Sequence, residues 1–272
     1  MKLRDLLLED NLIVAPGAFD GLSARLIEQA GFPAIYASGG AIARSAGFPD
    51  IGLLSFSEVL QRLEHMIEVT TIPIIADADT GFGNDVNVKR TIKAYQRLGI
   101  SACHIEDQTF PKRCGHLDDK HLIPTAEMVM KIQAAKEVAN ADFMLIARTD
   151  AIAIEGLSAA IDRANTYAEA GADIIFVEAP TSMQQIEDIA KQVNTPKLIN
   201  MFQGGKTPIV PAKRLQELGY RIVIIPSDLQ RAAIKAMQTT LTAIKQDGDS
   251  HRVQEQLTSF NEREEIIGTK DY

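Results

Sequence analysis

Glu169-Ala170-Gly171-Ala172-Asp173-Ile174-Ile175-Phe176-Val177-Glu178 decides the fold. A helical segment closes on a glycine, the residue best suited to a left-handed cap. A short and almost continuously apolar run follows, the signature of a strand buried on both faces. The phrase returns with variations as Gln29-Ala30-Gly31-Phe32-Pro33-Ala34-Ile35-Tyr36-Ala37-Ser38, as Arg97-Leu98-Gly99-Ile100-Ser101-Ala102-Cys103-His104-Ile105-Glu106, and as Glu217-Leu218-Gly219-Tyr220-Arg221-Ile222-Val223-Ile224-Ile225-Pro226. Further strands are expected near Ile13-Val14-Ala15, Ile74-Ile75-Ala76-Asp77, Phe143-Met144-Leu145-Ile146-Ala147-Arg148 and Lys197-Leu198-Ile199-Asn200. Helical periodicity lies between them, as over 125–139 and 157–170. About eight strand–helix units fit the length that a (β/α)8 barrel needs. The predicted fold class is therefore α/β, a (β/α)8 TIM barrel, with a doubly wound open sheet as the competitor. No linker-like break divides the chain, so residues 1–272 read as one domain. The polar stretch 246–272 has a helical pattern and is expected as an arm outside the barrel or against a neighbouring subunit.

Composition sets the frame. The 272 residues are 46% hydrophobic and 24% charged, ordinary for a globular enzyme with a large core. The net charge of -8 and the lack of a long basic block argue against nucleic acid as a partner. The first ten residues are too interrupted by charge for a signal peptide, and no stretch is long enough to span a membrane. Cys103 and Cys114 are the only cysteines, so a disulfide framework is not expected and a reducing cytoplasm is the expected setting.

The chemistry is concentrated at the strand ends. Ser38, Asp77, Glu106, Arg148, Glu178 and Asn200 close six apolar runs. In a barrel they all emerge at the C-terminal face, where active sites sit. Asp77 and Asp79, together with Glu106, offer oxygen ligands alone, which suits Mg2+, or Mn2+ in its place, better than zinc. A purely structural reading of Asp77-Ala78-Asp79 as a helix cap is weakened by Asn84, which already looks like the cap of the next helix. A zinc site from Cys103, His104, Cys114 and His116 is disfavoured because adjacent strand residues point to opposite faces.

The connection after Glu106, running to about Pro124, is long for a barrel, as lids and binding loops are. It carries Lys112-Arg113-Cys114-Gly115-His116. A cysteine flanked by cations is expected to have a lowered pKa and to exchange protons near neutral pH. Lys120 and His121 read as solvated loop residues. Arg148 offers a bidentate fork to a substrate carboxylate, with an ion pair to Asp150 or Glu178 as the structural alternative. Gly204-Gly205-Lys206-Thr207 resembles the end of a phosphate loop, but the earlier glycine is missing and Pro208 breaks the helix that should follow.

These residues resemble the isocitrate lyase and phosphoenolpyruvate mutase superfamily, most of all its methylisocitrate lyases and 2,3-dimethylmalate lyases. The resemblance rests on Tyr36-Ala37-Ser38-Gly39-Gly40, Gly47-Phe48-Pro49-Asp50, Asp77-Ala78-Asp79-Thr80-Gly81-Phe82-Gly83, His104-Ile105-Glu106-Asp107-Gln108, the Cys-Gly-His loop, Ala147-Arg148-Thr149-Asp150-Ala151 and Asn200. It implies a homo-oligomer, commonly a tetramer with the last helix swapped. It also implies that Ser38, Gly39 and Gly40 bind a 2-oxo acid, and that Asp77 and Asp79 hold Mg2+ with Asp50 and Glu106 acting through its waters. Cys114 is then the acid/base, Gly115 touches a carboxylate, and Arg148, Glu178, Asn200 and Arg231 complete the pocket. Two positions depart from the methylisocitrate lyase pattern: Phe202 stands where a threonine is expected, and Phe260 where an arginine is, with Arg263 nearby.

The implied reaction is retro-aldol (retro-Claisen) cleavage of a 2-hydroxy di- or tricarboxylate. A base removes the hydroxyl proton, with Tyr36 the first residue to consider. A 2-oxo acid such as pyruvate is left, and the other fragment departs as a very basic enolate. Lys112, Arg113, Arg148 and His116 supply positive charge to it, and Cys114 protonates its carbon. Rival readings are an oxaloacetate hydrolase or decarboxylase, a phosphoenolpyruvate mutase, and a barrel kept as a binding protein.

Overall fold

The computed structural model describes residues 2–271, so Met1 and Tyr272, at the ends of the expected span, lie outside the described residues. Eight strands run Ile13–Ala18 (β1), Ile35–Ala37 (β2), Ile74–Asp77 (β3), Ala102–Glu106 (β4), Met144–Thr149 (β5), Ile174–Val177 (β6), Lys197–Asn200 (β7) and Tyr220–Ile225 (β8). Each pairs in parallel with the next, and β8 returns to β1 through Ile13↔Ile222 to Pro16↔Ile225, which closes the barrel. The open-sheet alternative is thereby excluded.

The helices are Leu3–Leu8 (α1), Gly21–Gln29 (α2), Gly39–Ser45 (α3), Phe56–Glu68 (α4), Asp85–Leu98 (α5), Thr125–Val138 (α6), Ile152–Glu155 (α7), Leu157–Glu169 (α8), Met183–Gln192 (α9), Ala212–Glu217 (α10), Asp228–Asp247 (α11) and Phe260–Ile267 (α12). The repeated phrase has a local cause. Gly31, Gly99, Gly171 and Gly219 all have φ between 81° and 111°, where a side chain would be strained, and each ends a helix before a strand. Asn84 caps α5 as expected, accepting from the amides of Val86 and Asn87 at 3.1 and 3.3 Å.

Alternation along the strands makes two apolar layers. Tyr36, Ile75, Ala102, Ile146, Ile174, Phe176, Leu198, Ile222 and Ile224 fill the barrel, and Leu3 and Leu6 of α1 join them. Ile74, Ala76, Cys103, Leu145 and Ile175 face the helices. Cys103 therefore belongs to the core, and burial pushes its thiol above the ordinary range.

Past β4, the connection is drawn together at its base. Ile123 donates its amide to the Asp107 carbonyl at 2.9 Å, and Gln108 bridges to Leu122. The C-terminal arm is less helical than its pattern suggests: a 3-10 turn at His251–Gln256 precedes α12, which packs on α2 outside the barrel, with Gln29 donating to the Ile266 carbonyl at 3.2 Å. Among the described residues no helix is long and apolar enough to cross a membrane.

Gly17 marks the tightest point of closure, since a Cβ there would run into the Pro226 carbonyl just past β8. Gly17→Ala is expected to cost roughly 1–3 kcal/mol by overpacking. Thermal denaturation of the variant should show a lowered midpoint, and an unchanged midpoint would contradict this view of the seam.

Candidate active site

The strand ends and the cysteine loop enclose a cavity of about 280 Å³ at the C-terminal face of the barrel. Tyr36, Ser38, Gly40, Asp50, Asp77, Lys112, Cys114, Gly115, His116, Arg148, Glu178, Asn200 and Arg231 line it, as do Arg44, Phe202 and Gln230. Asp79 and Glu106 stand just behind this wall, touching Lys112 and Arg148 respectively. Gly39 also lies behind it: its amide donates to Asp77 Oδ2 at 3.2 Å.

Arg148 is placed by β5, opposite Glu106 of β4 and beside Phe176 of β6. Its fork grips Asp150, with Nε on Oδ2 at 2.9 Å and Nη2 on Oδ1 at 3.1 Å. Nε also lies 3.3 Å from Glu106, and Nη1 3.5 Å from Glu178. Structural ion pairing thus holds Arg148 with all three carboxylates. Burial alone would raise Asp150, but the charge of Arg148 and its bonds, with Lys120, bring it down to about 2.

The glycines after Ser38 are dictated by contact. A Cβ on Gly39 would sit 2.6 Å from Asp77 Oδ2, and one on Gly40 2.6 Å from Asp50 Oδ2. Gly115 is pressed equally close to Arg148 and Glu178. His116 reaches Glu178 at 3.0 Å and receives the Lys206 amide on Nδ1 at 3.0 Å, while its ring stands edge-on to Phe202.

The acidic residues carry more negative charge than the cations around them neutralise. Lys112 Nζ lies 2.5 Å from Asp50 and 2.9 Å from Asp79. Burial, reinforced by Asp77 and Asp50, still raises Asp79 to about 6 despite Lys112. Burial would raise Asp77 as well, but His104, Lys112 and Arg148 hold it at about 2. Glu106 is pushed well up by burial, and neither of its oxygens receives a hydrogen bond, because Arg148 approaches off the N–H direction. Among the described residues, no group of three or more His, Cys, Asp or Glu side chains is arranged to hold a metal ion as it stands. The donor chemistry nevertheless fits a hard cation: oxygen ligands, orphaned buried carboxylate oxygens, and an ammonium standing where positive charge is needed.

Three sequence expectations are corrected. The Cys114 thiol is raised, not lowered, first by burial and then by Asp50. Its neighbours in sequence are not its neighbours in space, since Lys112 turns to Asp50 and Asp79 and Arg113 faces solvent. Lys120 is not a solvated residue: it is buried, bonded to the Gly115 carbonyl and to Asp150 at 3.2 Å. His121 is exposed, as expected. Tyr36 is not a ready base, because burial and Asp77 raise its phenol, which is engaged by His104 at 2.8 Å and Asp77 at 3.3 Å.

Sequence reasoning missed Arg44 and Gln230. Arg44 lies one helical turn beyond Gly40 on α3, a spacing that puts both on one face. Gln230, at the start of α11, donates to the Ala41 carbonyl at 2.7 Å and ties that helix over the pocket, a contact across 189 residues without a local signal.

The family model described as phosphoenolpyruvate phosphomutase matches residues 3–245. The chain is 43% identical over 272 residues to a 2-methylisocitrate lyase of Aeropyrum pernix, covering 100% of this chain and 88% of the relative. It is 41% identical over 269 residues to a 2,3-dimethylmalate lyase of Eubacterium barkeri, covering 98% and 93%. Among solved structures, an oxaloacetate acetylhydrolase in complex with 3,3-difluorooxalacetate superimposes with a TM-score of 0.94 at 32% identity, covering 99% of this chain and 93% of that one.

Arg148→Met should destabilise the protein by about 3–5 kcal/mol at pH 7, the cost of stranding buried carboxylates. The Asp150 pKa is depressed, so its contribution is present above the unfolded value and lost as pH falls towards about 2. The gap in thermal midpoint between wild type and variant should therefore narrow below pH 4. A gap that is small at pH 7, or that widens in acid, would contradict this role.

Proposed function

The chain belongs to the phosphoenolpyruvate mutase/isocitrate lyase superfamily, and from that premise we propose that it is a magnesium-dependent carbon–carbon lyase. Its substrate is a 2-hydroxy di- or tricarboxylate of the 2-methylisocitrate or 2,3-dimethylmalate kind, cleaved to a 2-oxo acid such as pyruvate and a carboxylate. The observation that carries this reading is the half-buried Cys114 thiol, its pKa raised above the ordinary range, facing the same cavity as Arg148 and Asn200.

A thiol raised above its ordinary range keeps its proton at neutral pH, as a general acid must. The departing enolate is far more basic than any thiolate, so a high thiol pKa does not impede the transfer. Arg148 and His116 hold the departing carboxylate, with Glu178 fixing His116 in place. Ser38, Gly39 and Gly40 receive the 2-oxo acid end, where the two glycines let Asp77 and Asp50 pack directly against the backbone. Arg44, 3.8 Å from Asp50, and Arg231, bonded to the Gln203 carbonyl and 3.3 Å from Asp228, are exposed at the cavity wall and are assigned to a second carboxylate. The hydroxyl proton is assigned to Tyr36, which accepts it as its own proton passes to the His104 ring nitrogen at 2.8 Å, while Asp77, held at about 2, stays ionised.

Asp77 and Asp79, with Asp50 and Glu106, are the residues we assign to Mg2+, or Mn2+ in its place. When bound, the cation supplies Lewis-acid polarisation of the 2-oxo acid oxygens. The chain's own part is to present ionised oxygens and keep water out, and Lys112 balances the cluster by direct contact. Phe202, Ile224, Pro226 and Ile234 form an apolar wall beside these charges, which favours alkyl substituents on the substrate over a third carboxylate. A homotetramer with an exchanged last helix belongs to the same proposal, supported by the exposed Phe260 and Ile267 of α12.

The likeness to oxaloacetate acetylhydrolase favours a second reading, hydrolysis of oxaloacetate. Parallel incubation with oxaloacetate, 2,3-dimethylmalate and 2-methylisocitrate, with products identified separately, divides the two. Pyruvate from either hydroxy acid supports the lyase, whereas oxalate and acetate from oxaloacetate alone support the hydrolase.

Cys114→Ser should lower kcat by about 10²- to 10⁴-fold. Binding of pyruvate and the Mg2+-induced rise in thermal midpoint should be retained. Near-normal turnover would remove the acid role. The Mg2+-induced rise should itself be largest above pH 6 and shrink below it, since protons compete for Asp79 near its value of about 6. A rise of constant size from pH 5 to 8 would count against this metal assignment.

A further inference from the structure

The polar side chains of the cysteine loop are held down at separate points, and one of them is buried beneath the loop itself. Lys120 follows Cys114 by six residues, and its side chain is 2% exposed. Its ammonium donates to the Gly115 carbonyl, immediately after the thiol, and to Asp150 Oδ1 at 3.2 Å. Asp150 Oδ1 is the same oxygen that receives Arg148 Nη2 at 3.1 Å. The other ties are different in kind. Lys206 and Asp118 meet at the surface, where an exposed pair contributes little. Lys112 binds the acidic cluster on the far side of the cavity.

We propose that Lys120 is a positioning residue for the reaction: it seats Cys114 over the cavity by carrying the Gly115 carbonyl onto Asp150. Three features on separate segments support this. Gly115 is packed so closely on Arg148 and Glu178 that even a Cβ would not fit, so its backbone lies directly against the frame that Lys120 ties it to. Asp150 is fixed from behind, because its own amide donates to Asp107 at 3.0 Å, and Asp107 is held by Tyr167 at 2.8 Å and Arg163 at 3.4 Å. The loop's return at Ile123 is bonded to the same Arg163 through its carbonyl at 3.1 Å. Lys120 therefore joins the tip of the loop to the rigid frame that also orients Arg148. Placement of the acid and of the carboxylate fork then depends on one shared oxygen.

The inference rests on the reading of Cys114 as acid for its kinetic consequence, but not for its structural one. The test uses the full-length protein carrying Lys120→Met, with Lys120→Gln as the conservative companion that can still donate to Gly115. The first readout is the rate at which iodoacetamide alkylates Cys114, followed by mass spectrometry with core Cys103 as internal reference. Lys120→Met should be alkylated at least tenfold faster than wild type, with Lys120→Gln in between and Cys103 unreacted in all three. The second readout is the division between kcat and KM on whichever substrate the wild type turns over. A displacement of about 1 Å costs on the order of 10² in rate, so kcat should fall about 100-fold in Lys120→Met, with KM within a few-fold and partial rescue in Lys120→Gln. Wild-type protection of Cys114 in both variants overturns the proposal, even where activity is lost. Should Lys120→Met not fold, Lys120→Gln alone decides, and wild-type alkylation and kcat in that variant overturn it. Failure of the Cys114→Ser prediction with faster alkylation here would sink the acid role and leave the seating role standing.

Discussion

Arg148 lies buried at the barrel mouth against carboxylates from three consecutive strand ends, Glu106 closing β4, Asp150 just after β5 and Glu178 just after β6. A lone buried carboxylate is costly to ionise, because desolvation penalises the charged form. Here one guanidinium, with five fixed donors, reaches all three groups and keeps Asp150 and Glu178 ionised. The surrounding geometry inherits its order from that contact. Glu178 is in turn the partner of His116, and Asp150 that of Lys120, so both ends of the cysteine loop are referred back to the same arginine.

Six carboxylates, Asp50, Asp77, Asp79, Glu106, Asp150 and Glu178, share this end of the barrel with the buried cations Lys112, Lys120 and Arg148 and with Arg44 and Arg231 at the exposed rim. The imbalance is unevenly distributed. Asp150 and Glu178 are paired and lowered, whereas Asp79 and Glu106 are raised. The uncompensated charge therefore sits on the β3–β4 side, next to Ser38–Gly40, and not on the β5–β6 side. A barrel mouth divided in this way has one half that is complete by itself and one half built to take further positive charge.

The fold was legible because it repeats. Four copies of helix, glycine and apolar strand announce a periodic architecture, and the left-handed glycines are its local cause. The strand-end residues were legible for the same reason: once the strand is placed, its last residue is placed too. Legibility ended where partners lie far apart in sequence. Lys120 looked solvated because its partner Asp150 is 30 residues away. Cys114 looked activated because Lys112 and Arg113 flank it in sequence, yet neither cation is what sets its pKa, and burial decides the direction. Arg44 and Gln230 gave weaker signals still, since only the fold brings α3 and α11 to one cavity. The arm at 246–272 looked more continuously helical than it is, because a polar pattern does not show the 3-10 turn at His251–Gln256.

The distribution of charge between scaffold and loop has a consequence for how the site is assembled. Asp77, Glu106, Asp150 and Glu178 sit on or just after strands, held by the barrel's hydrogen bonds. Lys112, His116 and Lys120 all lie on the single connection after β4. The carboxylates are thus built into the rigid part, and apart from Arg148 the buried cations that pair with them come from the loop. Lys112 and Lys120 each neutralise carboxylates whose desolvation the folding of the protein has already imposed. The attraction also strengthens as the loop excludes water, because charges interact more strongly in a lower dielectric. Seating of the loop and the pairing of Lys112 and Lys120 with their carboxylates therefore go together. Cys114 thus lies between two anchored lysines in the chain, Lys112 on Asp50 and Asp79 and Lys120 on Asp150.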